Sequence, residues 1–183
     1  MRHDCDPTAD EEKGPVVGDH LCPEPQVVAT RCITIAAPPE RVFPWIRQMG
    51  FGRAGWYSHD WIDNLGRRSA ERIHDEWQDV ETGSAVPGGP VAFTAAVVEP
   101  PRAFVLQVGD ATKRLNFTLA YELRDATTAT GPSTRLVTRM RARVPGGRFV
   151  GGVVARGFLG PGDGVMVRKQ LRTLARRAGV TLS

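Results

Sequence analysis

The chain alternates apolar and polar residues over most of the segment from residue 91 to 144. The pattern is clearest in 114–123, where every second residue is large and apolar: Leu115, Phe117, Leu119, Tyr121 and Leu123. A half-buried antiparallel strand has this period of two, because successive side chains point to opposite faces of the sheet. The pattern and its intervening turn residues predict strands over 91–98, 103–108, 114–123 and 134–144. A β-branched run with Ile33 and Ile35 on one face predicts an earlier strand over 27–35.

Two short helices are predicted directly after this first strand. Pro39 is well placed as the first helical residue. The apolar residues that follow recur at helical spacing up to Gly50: Val42, Trp45, Ile46 and Met49. Ser58 is the predicted N-cap of a second helix over 59–65.

A long helix is predicted at the end of the chain, from Val165 to the stop at Gly179. Its apolar stripe consists of Val167, Leu171, Leu174 and Ala178. The glycine-rich connection 145–164 precedes it, and two interpretations stand for that segment: a mobile gate, with Gly157 and Gly160 as hinges, or an irregular packed connection.

This order of elements predicts an α+β fold in which a curved antiparallel sheet wraps around the C-terminal helix. A curved sheet and a straight helix do not fit flush, so the gap is filled by large side chains or by a ligand. Both interpretations stay open. The side chains predicted to point inward from the sheet are Phe93, Phe104, Leu106, Phe117, Leu119, Tyr121 and Met140.

The same order, with the run APPERVFPWIRQMGFGRAGWYSHDWIDNLG and the following AERIHDEWQDVETG, resembles a bacterial branch of the SRPBCC superfamily (START/Bet v 1-like, polyketide cyclase-like). The resemblance covers about residues 26–179. It implies a helix-grip fold with a hydrophobic-ligand cavity under the C-terminal helix. It transfers no catalytic residue, because the enzymes of the superfamily share no catalytic motif.

Length and composition indicate one globular domain over residues 26–183, after an irregular, partly disordered lead-in over residues 1–25. The net charge of +4 supports solubility and weak affinity for anions. No nucleic acid is expected as a partner, since the arginines are not interleaved with aromatic residues. The sequence leaves the oligomeric state open.

The three cysteines form no C-x-x-C pair, and the N-terminus has no apolar signal segment. Both observations indicate a reducing compartment, and we therefore expect a cytoplasmic protein. No apolar run is long enough for a membrane span.

An aromatic cluster lies within the two-helix segment: Trp45, Trp56, Tyr57 and Trp61. One interpretation is the hydrophobic core of that segment, and the other is an aromatic end wall of a cavity with polar handles. Met49, Val167 and Leu171 complete the predicted cavity lining.

The stretch from Gly50 to Gly55 matches G-x-G-x-x-G, but it follows a helix and not a strand. A tight turn between two helices therefore explains it better than a dinucleotide site. Arg53 lies between these glycines and is a candidate contact for a ligand carboxylate or phosphate.

Ser58, His59 and Asp60 have the residue types of a catalytic triad, but adjacent helical residues point apart. If the protein is an enzyme, His59, Asp60 and His74 are the first acid–base candidates, because imidazole titrates near neutral pH. His59 with Asp63 and His74 is a weak metal pattern. The sequence predicts no metal and no cofactor.

A stripe of arginines marks one face of the last predicted strand: Arg135, Arg139, Arg141 and Arg143. The favoured interpretation is a solvated outer face, and the alternative is a surface for an anionic partner. The leading functional hypothesis is a non-catalytic binder of a small hydrophobic molecule, a lipid or an aromatic, polyketide-like compound. The second is a cyclase or dehydratase acting on an enclosed substrate, and the third a protein-interaction module that uses the stripe or the acidic tail.

Overall fold

The computed structural model describes residues 5–89, 91–129, 131–144 and 161–179. One curved, six-stranded antiparallel sheet has the strand order β1-β6-β5-β4-β3-β2. The strands are β1 (Val27–Ile35), β2 (Ala85–Pro87), β3 (Ala92–Glu99), β4 (Ala103–Gly109), β5 (Asn116–Asp125) and β6 (Thr134–Arg143). The helices are α1 (Ala9–Lys13), α2 (Pro39–Arg47), α3 (Asp60–Asp63) and α4 (Pro161–Gly179), with 3-10 turns at Asp19–Leu21 and Asp75–Trp77.

The C-terminal helix α4 packs across the concave face of the sheet, against β1 and α2. Its buried side chains Leu171 and Leu174 belong to the same hydrophobic core as Ile33 and Leu136 from the sheet. The predicted α+β helix-grip architecture is therefore confirmed. The short strand β2 was not predicted, because its three residues lie within turn-forming sequence.

The helix ends differ from the predicted ones in three places. Helix α2 ends at Arg47 with Gln48 as its C-cap, so Gly50 belongs to the following turn. Ser58 does not cap α3, because its hydroxyl donates to the Met166 carbonyl of α4 (3.1 Å). Helix α4 begins at Pro161, four positions before Val165, with proline as the first helical residue. The rest of the predicted gate, with Gly157 and Gly160, lies outside the described residues.

The convex face of the sheet is covered by residues 5–22, which we call the N-terminal strap. Val16 of the strap packs with side chains from four strands in a second, smaller hydrophobic cluster: Cys32, Val105, Ala120 and Val137. Cys22 is also fully buried, whereas Cys5, at the start of the strap, is buried in the main core together with Ile33 and Ile35. Apart from α1 and the 3-10 turn at Asp19–Leu21 the strap has no regular secondary structure, and its apolar residues cover a face of the sheet.

Arg139 of β6 lies between the sheet and the strap and binds the strap, and its side chain is only 3% exposed. Its Nε donates to Thr30 Oγ1 (3.0 Å) of β1. Nη1 donates to the Gly14 carbonyl and to Asp19 Oδ2, both at 2.8 Å. Nη2 donates to the carbonyls of Glu11 (2.7 Å) and Glu12 (3.0 Å). All five N–H donors of this guanidinium are therefore satisfied.

The other arginines of the stripe are also occupied. Arg135 forms a bidentate pair with Glu11 (2.7 and 2.9 Å), and this hydrogen bonding lowers the pKa of Glu11 to about 2. Arg141 donates to the Cys22 carbonyl (3.0 Å), and Arg143 donates to the carbonyls of Ala111 and Lys113. The prediction of a solvated or anion-binding stripe is wrong, because the strap supplies counter-charges and acceptors to Arg135, Arg139 and Arg141, and the β4–β5 connection supplies acceptors to Arg143.

Replacing Arg139 with lysine should lower the free energy of unfolding by about 3 kcal/mol, because buried acceptors lose their donors. Arg114→Lys is the matched control, since Arg114 is exposed and its change should stay within about 0.5 kcal/mol. Urea unfolding of the two variants and the wild type measures both effects. Equal stability of the two variants would show that Arg139 does not hold the strap.

Candidate functional site

The G-x-G-x-x-G stretch is a tight turn between α2 and α3. Gly50 and Gly55 exchange backbone hydrogen bonds of 3.2 and 3.0 Å, and Gly50, Gly52 and Gly55 all have positive φ. A Cβ on Gly55 would lie 2.6 Å from Ser69 Oγ, whereas a Cβ on Gly52 would meet nothing within 4 Å. The turn interpretation therefore fits, and the helix that would receive a pyrophosphate is absent from this part of the described chain.

Trp45 and Tyr57 are packed at the closed end of the concave face. Their rings meet edge to face at 6.1 Å, and the Arg177 guanidinium of α4 lies over both rings (5.8 and 5.1 Å). Gln48 Nε2 donates to the Tyr57 hydroxyl (2.6 Å). Burial raises the pKa of Tyr57. This pair is held on every side by protein groups.

The predicted cavity residues divide into two sets by burial. Seven belong to a tightly packed core: Trp45, Met49, Tyr57, Phe104, Leu106, Tyr121 and Leu171. Within this set the Tyr121 hydroxyl donates to Gln170 Oε1 (3.2 Å), and Gln170 Nε2 donates to the Trp56 carbonyl (2.9 Å). This half of the concave face is closed by protein side chains.

The second set is only half-buried, and we call it the open strip: Phe93, Phe117, Leu119, Met140 and Val167. Strand register places Phe117 beside Ala142, and Leu119 beside Met140, on the concave face. Trp56 lies at the border, with its ring 5.7 Å from Phe93, and Phe93 is 6.1 Å from Phe117. These side chains form a continuous apolar surface at one end of the sheet.

Trp61 does not join either set. Its side chain is 74% exposed on α3, and Ile62 beside it is also exposed. The one-turn helix directs both away from the packed aromatic pair. Trp61 is therefore no part of the wall that the described residues form.

The four polar candidates are each engaged by protein groups. Arg53 donates to the Trp77 carbonyl (2.8 Å), and burial lowers its pKa. Lys169 Nζ lies 3.2 Å from His59 Nδ1, and the Ser69 hydroxyl donates to Asp60 Oδ1 (2.5 Å). The His74 ring stacks on Trp77 (4.4 Å) and contacts Glu76 (3.2 Å). Among the described residues no group of three His, Cys, Asp or Glu side chains is arranged to hold a metal.

Asp63 is an acidic residue that the sequence did not single out as an acid–base group. Both of its carboxyl oxygens are buried, and neither accepts a well-aligned hydrogen bond from the described residues. Burial, together with the charge of Asp60, raises the pKa of Asp63 to about 6, against smaller opposing effects of the Asp63 backbone amide and of Lys169. No sequence pattern signals this, because the burial depends on how α3 lies against the rest of the chain.

Arg31 is a second residue that was not predicted to belong to the candidate site. In β1 it pairs with Thr138, and both belong to the concave face. Arg31 is separated from Ile33 and Ile35 by an even number of residues, and strand residues two apart share a face. This spacing was enough to predict that Arg31 lies on the concave face.

No protein-family model matches the sequence, and no curated protein matches it significantly. Among solved structures, the chain is similar to protein MLL2253 from Mesorhizobium loti at 15% identity and a TM-score of 0.43, over 82% of this chain and 96% of that one. It is similar to a norcoclaurine synthase point mutant from Thalictrum flavum at 7% identity and a TM-score of 0.45, over 83% and 93% of the two chains.

A third similar structure is DynU16, a putative protein of the dynemicin biosynthetic locus, at 16% identity and a TM-score of 0.43. The match covers 80% of this chain and 46% of that one. At such TM-scores these similarities assign neither a family nor a ligand to the chain. No helix in the described ranges is long and apolar enough to cross a membrane.

Replacing Asp63 with asparagine should stabilise the protein in a pH-dependent manner. A carboxyl whose folded pKa is raised costs stability once it ionises, so wild-type stability falls between the unfolded value of 3.8 and about 6. The variant should gain about 2 kcal/mol above pH 6 and almost nothing below about pH 4. Thermal unfolding across this range measures the difference, and a gain that does not change with pH would contradict the assignment.

Replacing Gly55 with alanine should cost about 3 kcal/mol of unfolding free energy, because left-handed strain adds to a clash with Ser69. Gly52→Ala is the matched control, since it has the same backbone strain in open space and should cost about 1 kcal/mol. Chemical unfolding compares them. Equal losses would mean that the contact between the turn and Ser69 does not matter.

Proposed function

We propose that the protein binds a small hydrophobic molecule, a lipid or an aromatic, polyketide-like compound, on the open strip between the sheet and α4. The proposal includes membership of the START/Bet v 1-like superfamily, action in the cytoplasm and a non-catalytic role. The observation that carries it is the contrast along one concave face. One half is closed by packed side chains, whereas the other presents half-buried aromatic and aliphatic groups.

The energetics of such a site are favourable. Covering about 200 Å² of apolar surface contributes about 5 kcal/mol, which permits micromolar binding once a few polar contacts are added. Phe93 and Phe117 supply flat faces for an aromatic ligand, and Met140 supplies an adaptable thioether. The fold keeps these groups on paired strands, so the surface is largely preformed.

A cyclase or dehydratase is the second candidate, and Asp63 is the observation in its favour. A carboxyl with a pKa of about 6 and two buried oxygens is suited to proton transfer near neutral pH. A dehydratase would release a product lighter by one water molecule from a poly-β-keto thioester, and Asp63→Asn would slow that release. A substrate recovered with unchanged mass supports the binder instead.

The proposed binding site is tested with N-phenyl-1-naphthylamine, a neutral aromatic probe whose fluorescence rises in apolar surroundings. The wild type should bind it with micromolar affinity. Met140→Glu should weaken binding at least about tenfold, because the new carboxylate must be desolvated in the strip. Val28→Glu is the matched control on the same sheet, since Val28 is 47% exposed on the convex face.

The control variant should bind the probe as the wild type does, and thermal unfolding should confirm that both variants are folded. A wild type that fails to bind the probe, or equal affinities in the two variants, would overturn the proposed site.

A further inference from the structure

Arg31 places a positive charge on the concave face of the sheet, beside the open strip. Register pairs Arg31 with Thr138, and Thr138 with Tyr121 across β6 and β5. The neighbouring row toward the open strip holds Ala29, Met140 and Leu119. Residues two apart in a strand are separated by about 6.6 Å, so the Cα of Arg31 lies one row from that of Ala29, the register partner of Met140.

The hydrogen bonding of Arg31 is incomplete. Its Nη1 donates to the neighbouring Thr30 carbonyl (2.8 Å), and its buried Nε has no hydrogen-bond acceptor among the described residues. Within the described ranges Arg31 takes part in none of the ion pairs that hold the convex face. Arg139, on the opposite face of the same pair of strands, uses every donor that it has. A buried guanidinium N–H without an acceptor is costly, and an added anion would satisfy it.

A second cation lies at the same strand edge. The Cys32 amide donates to the Cys5 carbonyl (3.2 Å), which places Asp6 alongside the outer edge of β1. Arg168 of α4 reaches Asp6 Oδ1 from Nη2 (3.2 Å), and its own Nε is also buried without a partner. Among the described side chains at this edge, Asp6 offsets the charge of Arg168, with which it pairs, and the charge of Arg31 is left over.

The remaining polar groups of the row are satisfied within the protein. The Thr138 hydroxyl donates to the Ala120 carbonyl (2.9 Å), and the Tyr121 hydroxyl donates to Gln170. Among the described side chains of the row Arg31, Thr138 and Tyr121, the hydrogen-bond donor without an acceptor is therefore Nε of Arg31. A neutral ligand would leave that donor unpaired, whereas a carboxylate would pair with it.

We propose that Arg31 is an anion-binding subsite, which takes the carboxylate of an amphipathic ligand whose apolar body lies on the open strip. The proposal rests on the proposed function and narrows its ligand class to hydrophobic acids. Arg168 adds to the attraction without direct contact. Binding is non-covalent, and the guanidinium stays charged throughout because its pKa lies far above neutrality.

The test compares two competitors that differ only in the head group, dodecanoate and dodecanol, in their displacement of N-phenyl-1-naphthylamine. With the wild type, dodecanoate should displace the probe at about tenfold lower concentration than dodecanol, as expected for one charge-assisted contact. Arg31→Met should remove this preference and leave dodecanol unchanged. Arg68→Met is the matched control, because it removes the same charge from an exposed position.

The outcomes separate the two proposals. A dodecanoate preference that survives Arg31→Met, or that Arg68→Met removes equally, overturns the subsite while the binding site stands. Failure of the probe and both competitors to bind the wild type overturns the proposed function, and the subsite with it. If Arg31→Met does not fold, Arg31→Lys replaces it. This variant should show a preference for dodecanoate smaller than that of the wild type, since the positive charge stays but the bidentate guanidinium is lost. An unchanged preference in Arg31→Lys contradicts the subsite.

Discussion

The Arg139 guanidinium is the group on which the position of the strap against the sheet depends. Desolvating a charge is costly, and here the cost is offset by five acceptors drawn from β1 and from the strap. The carbonyls of Glu11, Glu12 and Gly14 would otherwise be left without these donors. The strap therefore stays on the convex face, and the Val16 cluster beneath it becomes a second hydrophobic layer.

Covering the convex face leaves the concave face as the place where apolar side chains remain partly open. Helix α4 closes one end of that face through Leu171, Leu174 and the stacking of Arg177 on Trp45 and Tyr57. Toward the other end the protein offers Phe93, Phe117 and Met140, which stay half-buried. A straight helix cannot follow a curved sheet over its whole length, so one end is packed and the other is available.

The period of two and the helical spacing were enough to predict five of the six strands and the C-terminal helix, but not the order of the strands within the sheet. They were enough because each strand has one clearly apolar face, as β5 shows. The strap was not predictable, since residues 5–22 carry few apolar groups and Arg139 resembles any surface arginine in sequence. Burial of Asn116 and Thr118 on the same face follows from the strap and not from β5 itself.

The candidate site was only partly predictable from sequence, for two physical reasons. Alternation predicted which side chains point inward, but whether an inward residue is packed or open depends on where α4 lies. Trp61 illustrates the limit, because a one-turn helix has no periodicity that fixes its exposed side. The position of Arg31 on the concave face could have been predicted from its spacing to Ile33 and Ile35. The raised pKa of Asp63 could not, because it depends mainly on burial by the tertiary structure.

The proposed hydrophobic ligand lies on the open half of the concave face and not within the packed half. Met140 and Met49 report on the two halves, since Met140 is half-buried in the strip and Met49 is fully buried in the core. The most direct measurement is a titration of methyl-labelled methionine with N-phenyl-1-naphthylamine, followed by nuclear magnetic resonance. We expect a saturable shift of the Met140 methyl signal with little change at Met49. A shift confined to Met49, or no shift at Met140 under saturating probe, would contradict it.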